Sequence, residues 1–319
     1  MTAIVQNPIG ETLTDNVAWA AFDKKGAKPR LSVLIPTFRD DPGALLKALD
    51  EPGVHAEIVL LDDGGGDEAL ARRMATRIER LKLPARLITL SSNEGRAKGR
   101  NRLARHARGR HLLFLDSDML PDPIGFLARW TALAESDDTA VAFGGFTLDQ
   151  TPRRPEHELH RAMALKSDCT PAPERARAPE KHVFTSNLLV RRDVFETIGF
   201  DEGFAGWGWE DVEWAMRVAR LYPIAHIDNS ATHLGLDTAP ALAAKYEQSA
   251  ANFARVVKSH FDVVSGYPSY RVAKALKPLP LRASWRPMLK SLALAEAAPT
   301  PLRAFAMRLY RAALYSDAV

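Results

Sequence analysis

His111-Leu112-Leu113-Phe114-Leu115-Asp116-Ser117-Asp118 is the stretch on which the fold turns. A short, unbroken apolar run ended by acids is the pattern of a strand covered on both faces, delivering polar side chains at its carboxyl end. Working upstream, Leu31–Pro36, Glu57–Leu61 and Ala85–Leu90 have the same character. The first is stopped by proline, the second runs into Asp62-Asp63-Gly64, and the third into the turn Ser91-Ser92-Asn93-Glu94-Gly95. Between them lie predicted helices: one opened by Asp41-Pro42 with Leu45, Leu46 and Leu49 on one face, one over 67–82, and one over Arg96–Arg108. Strand and helix thus alternate four times in succession. The alternation predicts an α/β fold, a parallel sheet with right-handed crossovers and helices on both faces.

In such sheets ligands bind at the carboxyl ends of the strands. Asp40, Asp62, Asp63, Asn93, Asp116 and Asp118 all follow predicted strands, so one rim is lined with acids. Each alone reads equally well as a turn former or helix cap. Together they repel one another unless a cation or a network of hydroxyls occupies the rim. Asp116 and Asp118 are two residues apart, so on extended backbone their carboxylates point the same way. Hard oxygen donors of this kind suit Mg2+ or Mn2+.

A second acidic motif, Trp207-Gly208-Trp209-Glu210-Asp211, lies well downstream. The acids open a predicted helix over Asp211–Arg220, where the macrodipole favours them in any case. Phe204, Trp207 and Trp209 in a glycine-rich turn suggest a platform for a sugar ring, and a carboxylate beside it can take a proton from a hydroxyl as general base. His233 follows a short predicted strand, Ile224–Ile227, and offers an imidazole as a third metal ligand. His226, inside that strand, reads as packed.

Composition bounds the rest. The chain has 319 residues, 46% of them hydrophobic, and a mean hydropathy of −0.20. This fits one large domain with an appendage, or two modest domains. The single cysteine, Cys169, excludes an internal disulfide framework and favours a reducing compartment; lying in a polar stretch without a neighbouring base, it reads as a bystander. Residues 1–25 lack a basic start followed by an apolar core, and no stretch offers about 18 uninterrupted apolar residues, so the expected location is the cytoplasm or the inner face of its membrane. Residues 271–319 hold nine Lys/Arg against Glu296 and Asp317, a local charge of +7 behind a body of −3. In that tail Phe305, Ala306, Leu309, Tyr310, Ala313 and Leu314 recur at helical spacing beside Arg303, Arg308 and Arg311. A basic amphipathic helix suits either an anionic lipid surface or packing on the catalytic domain or another subunit. Nucleic acid is excluded as a partner, because the basic residues are confined to the tail and no recognition module accompanies them.

The domain reading is a loose leader over 1–29, a catalytic domain over 30–262 with a nucleotide half (30–120) and an acceptor half (121–262), and a basic helical extension over 263–319. Residues 151–182, with Pro152, Pro155, Pro171, Pro173 and Pro179, read as a long irregular loop with one short helix near Glu158–Leu165, a candidate lid. Val183–Val190 reads as a strand and Pro240–Phe261 as a helix.

Ser32-Val33-Leu34-Ile35-Pro36-Thr37, Leu61-Asp62-Asp63-Gly64, Asn93-Glu94-Gly95 with Ala97, Arg100 and Asn101, and Leu115-Asp116-Ser117-Asp118 resemble the family 2 glycosyltransferases of the GT-A fold. Gly199-Phe200-Asp201-Glu202-Gly203-Phe204 through Trp207–Asp211 resembles the catalytic segment shared by galactosyltransferases and polypeptide GalNAc-transferases. The resemblance implies a metal-dependent transferase moving a sugar from a UDP-sugar to a hydroxyl of a glycan or lipid-linked glycan, with Mn2+ or Mg2+. It implies that Pro36, Thr37 and Asp63 hold base and ribose, with Asn93 and Ser117 in the same nucleotide-sugar site. Arg100 would position the nucleotide loop, Asp116 would contact ribose and metal, and Asp118 and His233 would bind the metal. Asp211 would be the base of an inverting displacement, Glu210 would hold sugar hydroxyls, and Trp207 would stack on a sugar.

Two departures qualify the likeness. Gly64-Gly65-Gly66 replaces the usual serine after the Asp-Asp-Gly motif, which predicts a looser turn. Retaining GalNAc-transferases carry an amide after the glutamate, so Asp211 favours inversion over a retaining or protein-modifying activity. A sugar-nucleotide-making nucleotidyltransferase would show a glycine-rich basic loop after the first strand, where this chain has Pro36-Thr37-Phe38-Arg39. A non-catalytic subunit of a polysaccharide assembly complex is disfavoured by the intact acid set.

Overall fold

The computed structural model describes residues 17–22, 29–136 and 138–319. The strands are Val17–Phe22 (β1), Leu31–Thr37 (β2), Ala56–Asp62 (β3), Ala85–Leu90 (β4), His111–Leu115 (β5), Met119–Pro121 (β6), Val141–Phe143 (β7), Phe146–Thr147 (β8), Asn187–Arg191 (β9), Ile224–His226 (β10) and Ala231–His233 (β11). The helices are Gly43–Leu49 (α1), Glu68–Arg80 (α2), Arg96–His106 (α3), Phe126–Glu135 (α4), Glu158–Ser167 (α5), Ala172–Arg175 (α6), Arg192–Thr197 (α7), Glu210–Ala219 (α8), Ala239–Ser259 (α9), Phe261–Val264 (α10), Pro268–Leu276 (α11), Arg282–Leu294 (α12) and Thr300–Tyr315 (α13).

The α/β expectation holds. Eight strands form a central sheet in the order β1-β4-β3-β2-β5-β9-β7-β10. The block β4-β3-β2-β5 is parallel throughout, and β10 pairs parallel with β7. Alternate residues of the apolar runs go to opposite faces, which is why the runs are continuous rather than alternating. Leu31, Val33 and Ile35 pack with α1, α2 and α4 through Leu45, Leu49, Met74, Phe126 and Trp130. Leu34, Val59, Leu61 and Phe114 pack with α3, α7 and α8 through Leu103, Phe195, Trp214 and Val218. Each fully buried Val, Leu or Ile here contributes about 1.5–3 kcal/mol relative to an exposed position.

The sheet is not parallel at its margins. β9 runs antiparallel to both β5 and β7, with His111 opposite Arg191 and Val141 opposite Val190. β7 is three residues long, too short to carry a period. β9 begins only at Asn187, so Val183–Ser186 of the predicted strand are an approach to it, buried except for half-buried Phe184. The predicted leader needs correction over six residues: Val17–Phe22 pairs antiparallel with β4, covers its free side and becomes the edge strand of the sheet. Most of the rest of 1–29 lies outside the described residues.

Residues 151–182 are largely helical rather than irregular. α5 buries Leu159 and Met163 against α9 and α13. Arg161 anchors the entry by donating to the Thr151 carbonyl (2.7 Å). The tail forms α11 to α13. On α13, Ala306, Met307, Tyr310 and Ala313 are buried and Leu309 and Leu314 half-buried, against α9, α11, α12 and α5. The apolar face predicted from spacing is therefore covered by this chain itself, apart from Phe305, which is 58% exposed, and Leu302. Of the two readings of the tail, packing on the catalytic domain is the one the structure takes. Among the described residues no helix is long and apolar enough to cross a membrane.

Candidate active site

The strand order turns at β2. β3 and β4 lie to one side of it and β5 to the other, so the carboxyl ends of β2 and β5 flank the topological switch point, the place where open α/β sheets bind ligands. Pro36 and Thr37 end β2 there, and Asp116-Ser117-Asp118 follow β5. The acid-lined rim read from the sequence is thus a single surface.

Asp63 sits at the base of this rim and organises the next loop. Its carboxylate accepts the backbone N–H groups of Glu94 (2.8 Å) and Gly95 (3.0 Å) and the side-chain amide of Asn93 (3.0 Å). Burial nevertheless lifts its pKa above the ordinary aspartate value. The triple-glycine turn is not loose. Asp62 accepts the Gly65 N–H (3.1 Å), and Gly64, at φ 68°, passes so close to Ser92 that a Cβ would lie 2.3 Å from its carbonyl carbon. Glycine is required by close approach as well as by backbone angle.

From that loop α3 starts at Arg96, and two arginines one turn apart point into the rim. Arg100 is buried and ion-pairs with Asp116, while its other nitrogen donates to the Arg96 carbonyl (3.3 Å). Burial pushes the Asp116 carboxyl up, but Arg100 and then Arg96 outweigh it and hold its pKa below the usual value. Arg96 itself pairs with Glu210 on α8 and stands 3.9 Å from Asp116. Asn101 ties the same helix to the downstream segment, exchanging hydrogen bonds with the Phe200 backbone (2.9 and 3.1 Å). The two acid motifs, far apart in sequence, meet through α3.

His233 reaches the rim by strand pairing. β11 lies between β6 and β8, and its register sets His233 opposite Met119, the neighbour of Asp118. His233 Nε2 is 3.1 Å from Asp118 Oδ2. Gly235 makes room: a Cβ there would fall 1.9 Å from the same oxygen. Burial lowers the pKa of His233, but the hydrogen bond and charge of Asp118, with Asp116 behind, raise it above the ordinary imidazole value. Asp40 completes the acidic group; burial and then the charge of Asp118 and Asp116 raise its pKa. An oxygen and a nitrogen donor facing each other across a glycine cradle fit a divalent cation with two protein ligands, the rest of its shell left to phosphates and water. Among the described residues no three His, Cys, Asp or Glu side chains converge as a complete protein cage. Asp116 is turned toward Arg100.

The loop before α8 is strained. Trp209 adopts the left-handed region (φ 77°) immediately before Glu210, at about 1–3 kcal/mol for a non-glycine residue. Asn252 of α9 holds the loop by donating to the carbonyls of Ala205 (3.0 Å) and Gly208 (2.8 Å). The three aromatics do not form one platform. Phe204 is buried, and Trp209 packs on Phe253 and donates from Nε1 to the Tyr315 hydroxyl (3.0 Å). Trp207 is half-buried like Trp209 but lies beside Tyr246 and under the ammonium of Lys245. The strain carries Glu210 and Asp211 into the interior. Burial, and then the Glu210 charge, push the Asp211 pKa up to about 7.

Sequence reasoning missed Arg96, His160 and Lys245. His160 lies beside His233 (ring centroids 6.3 Å), accepts the Asp237 N–H at Nδ1 (2.8 Å) and is held neutral by burial, its pKa lowered to about 4. Lys245 pairs with Asp237 (2.7 Å). No motif marks any of the three; helix packing places them. His226 is packed as expected, its ring nitrogens engaged by Arg175 and the Pro179 carbonyl. Cys169 lies against a small apolar cluster with its thiol pushed up to about 12 by burial, an unreactive state.

The chain is 30% identical over 222 residues to validoxylamine A glucosyltransferase of Streptomyces hygroscopicus subsp. limoneus, a match covering 60% of this chain and 48% of that protein. It spans about half the length of the curated relatives it matches. The mannosyltransferase PcManGT from Pyrobaculum calidifontis, solved in complex with GDP-Man and Mn2+, superposes with a TM-score of 0.55 at 18% identity, covering 92% of this chain and 88% of that one. S. aureus TarS 1-349 in complex with UDP-GlcNAc superposes at 0.52 and 17% identity, covering 91% and 90%. At those identities the likeness is one of fold. The model of glycosyl transferase family 2 matches residues 32–199, from the first strand of the parallel block to the turn before Phe200. With more than half its length inside that match, the chain belongs to glycosyl transferase family 2.

Proposed function

We propose that this chain is a metal-dependent, inverting glycosyltransferase that moves a sugar from a UDP-sugar to a hydroxyl of a glycan or lipid-linked glycan in polysaccharide biosynthesis. The observation that carries the reading is the meeting of the two acid motifs at the switch point, with Glu210 tied through Arg96 toward Asp116. Pro36, Thr37, Asp63 and Asn93 frame the nucleotide, directly or through the loop they order. Arg100, Asp116 and Ser117 set the ribose and phosphate end. Asp118 and His233 would hold Mn2+ or Mg2+, with Asp116 behind them. When bound, the cation supplies Lewis-acid stabilisation of charge on the diphosphate. The His233 imidazole would have to be neutral to hold a cation, so the proton it shares with Asp118 would have to leave first.

Glu210 holds sugar hydroxyls, and Asp211 takes the proton of the attacking hydroxyl. Its raised pKa keeps it basic enough for the task near neutrality. A carboxylate at 211, where a retaining relative would carry an amide, supports inversion. Trp207, with Tyr246 and Lys245 beside it, offers the acceptor an aromatic face. Residues 30–120 act as the nucleotide half, 121–262 as the acceptor half, and 263–319 as a helical buttress whose Tyr315 holds Trp209. A cytoplasmic site of action follows the composition; association with a lipid surface through α13 is not favoured, because its apolar face is covered.

The test is a panel of UDP- and GDP-sugars with Mn2+, Mg2+ or chelator, read as release of the nucleoside diphosphate. The expected result is turnover of a UDP-sugar that chelation lowers by roughly 10²-fold or more, given several kcal/mol of transition-state stabilisation by the metal. Turnover equal in chelator would remove the metal from the account.

A further inference from the structure

We infer that Arg96 is a ligand of the departing diphosphate, a catalytic cation additional to the acids and the metal pair. The inference rests on the donor-site reading above and concerns where along the donor this one side chain sits. Arg96 lies between two carboxylates that mark the two ends of the donor. Asp116 ends β5 on the nucleotide side, and Glu210 opens α8 on the sugar side. A donor stretched from one to the other places its sugar–phosphate bond beside the guanidinium that lies between them.

The state of the guanidinium agrees with that position. A guanidinium carries five N–H donors in a fixed fork. Only Nε–H is engaged, by Glu210, among the described residues; the contact to Asp116 at 3.9 Å is an ion pair beyond hydrogen-bond reach. The remaining N–H groups have no hydrogen-bond partner there. Arg96 is also the most open member of the network: its side chain is 36% exposed, against 24% for Asp116 and 2% for both Glu210 and Arg100. A purely structural strut between two acids would bury its donors and use them. Planar, weakly hydrated guanidinium is well suited to pairing with phosphate oxygens.

The loop beneath it fixes the aim. Gly95, at φ 87°, and Glu94 donate their N–H groups to Asp63, so Arg96 stands as the first residue of α3 on a turn that is tied down. In the reaction, the acceptor oxygen bonds the anomeric carbon and the bond from that carbon to the phosphate oxygen breaks, its electron pair remaining on the phosphate. The acceptor proton passes to Asp211. Arg96 donates hydrogen bonds to the oxygen that gains charge and keeps all its protons.

The experiment compares UDP with UMP, which lacks the second phosphate, by calorimetry in the presence of Mn2+ on wild type, Arg96→Ala and Arg96→Lys. The expected result is a loss of about 10- to 100-fold in UDP affinity for Arg96→Ala, the size of a charge-assisted phosphate contact, with UMP changed by less than about twofold. Arg96→Lys, which keeps the charge, should recover part of the UDP affinity and of donor turnover. UMP binding also reports that the variant is folded; should Arg96→Ala fail to fold, Arg96→Lys carries the test through a smaller loss confined to UDP. Equal weakening of UDP and UMP, or none, overturns the inference and leaves the donor site standing. Failure of wild type to bind either nucleotide overturns the donor-site reading and the inference together.

Discussion

Asp211→Asn is expected to slow sugar transfer by roughly 10²–10⁴-fold while leaving UDP affinity unchanged, because it removes the group that takes the acceptor proton without touching the nucleotide end. The same residue sets the pH dependence. Burial and the neighbouring Glu210 push its pKa up to about 7. Below that value Asp211 is protonated and cannot accept a proton, so kcat falls about tenfold per pH unit on the acid side. The stability effect has the opposite direction. A carboxyl whose folded pKa lies above its unfolded one binds more protons in the fold, so the fold loses stability as pH rises between the two values. Asp211→Asn removes a buried charge and should raise Tm at neutral pH. A kcat–pH profile and thermal melts on the two proteins check both signs. A variant that is inactive and also fails to bind UDP would move Asp211 from catalysis to structure.

Arg100→Ala is expected to destabilise the fold by about 3–5 kcal/mol, the size found when one partner of a buried pair is removed and the other is left charged. Arg100 is buried and pairs with Asp116, whose nearest other cation, Arg96, stands 3.9 Å away. Because Arg100 and Arg96 hold the Asp116 pKa below its unfolded value, its contribution is present above that unfolded value, near 3.9, and is lost as pH falls through the folded one. The gap between wild type and variant should therefore be largest at neutral pH and narrow in acid. Urea denaturation at pH 7 and pH 3 measures it. An equal gap at both would mean that Arg100 acts by packing alone.

The parallel block was legible because β2, β3, β4 and β5 are covered on both faces, and burial on both faces leaves an unbroken apolar run. The acids that follow those strands were legible for the same reason, since a run has a visible end. Most of the shortest strands were not. β6, β7, β8 and β11 have two or three residues each, too few for any period, yet the β6–β11 register is what brings His233 to Asp118. Spacing could suggest that histidine but could not supply its partner.

Side-chain direction was the second blind spot. Phe204, Trp207 and Trp209 look alike in a glycine-rich turn, and only the packing separates buried Phe204 from two half-buried tryptophans, of which Trp209 is held by Phe253 and Tyr315. Arg96 was unreadable because a helix-opening arginine is ordinary until Glu210 is seen beside it. The 151–182 stretch misled through its prolines: Pro155, Pro173 and Pro179 stand in the first turns of helical segments, where proline is tolerated, rather than in a loop. The tail offered two destinations for one amphipathic face, and tertiary packing chose between them.

The central claim, a nucleotide site that works through a divalent cation held by Asp118 and His233, is tested most directly by calorimetry of UDP with and without Mn2+ on wild type and Asp118→Ala. The account predicts UDP binding that Mn2+ strengthens by about tenfold or more in wild type, and no Mn2+ effect in Asp118→Ala. UDP binding indifferent to Mn2+ in wild type, or equally strengthened by it in the variant, would contradict it.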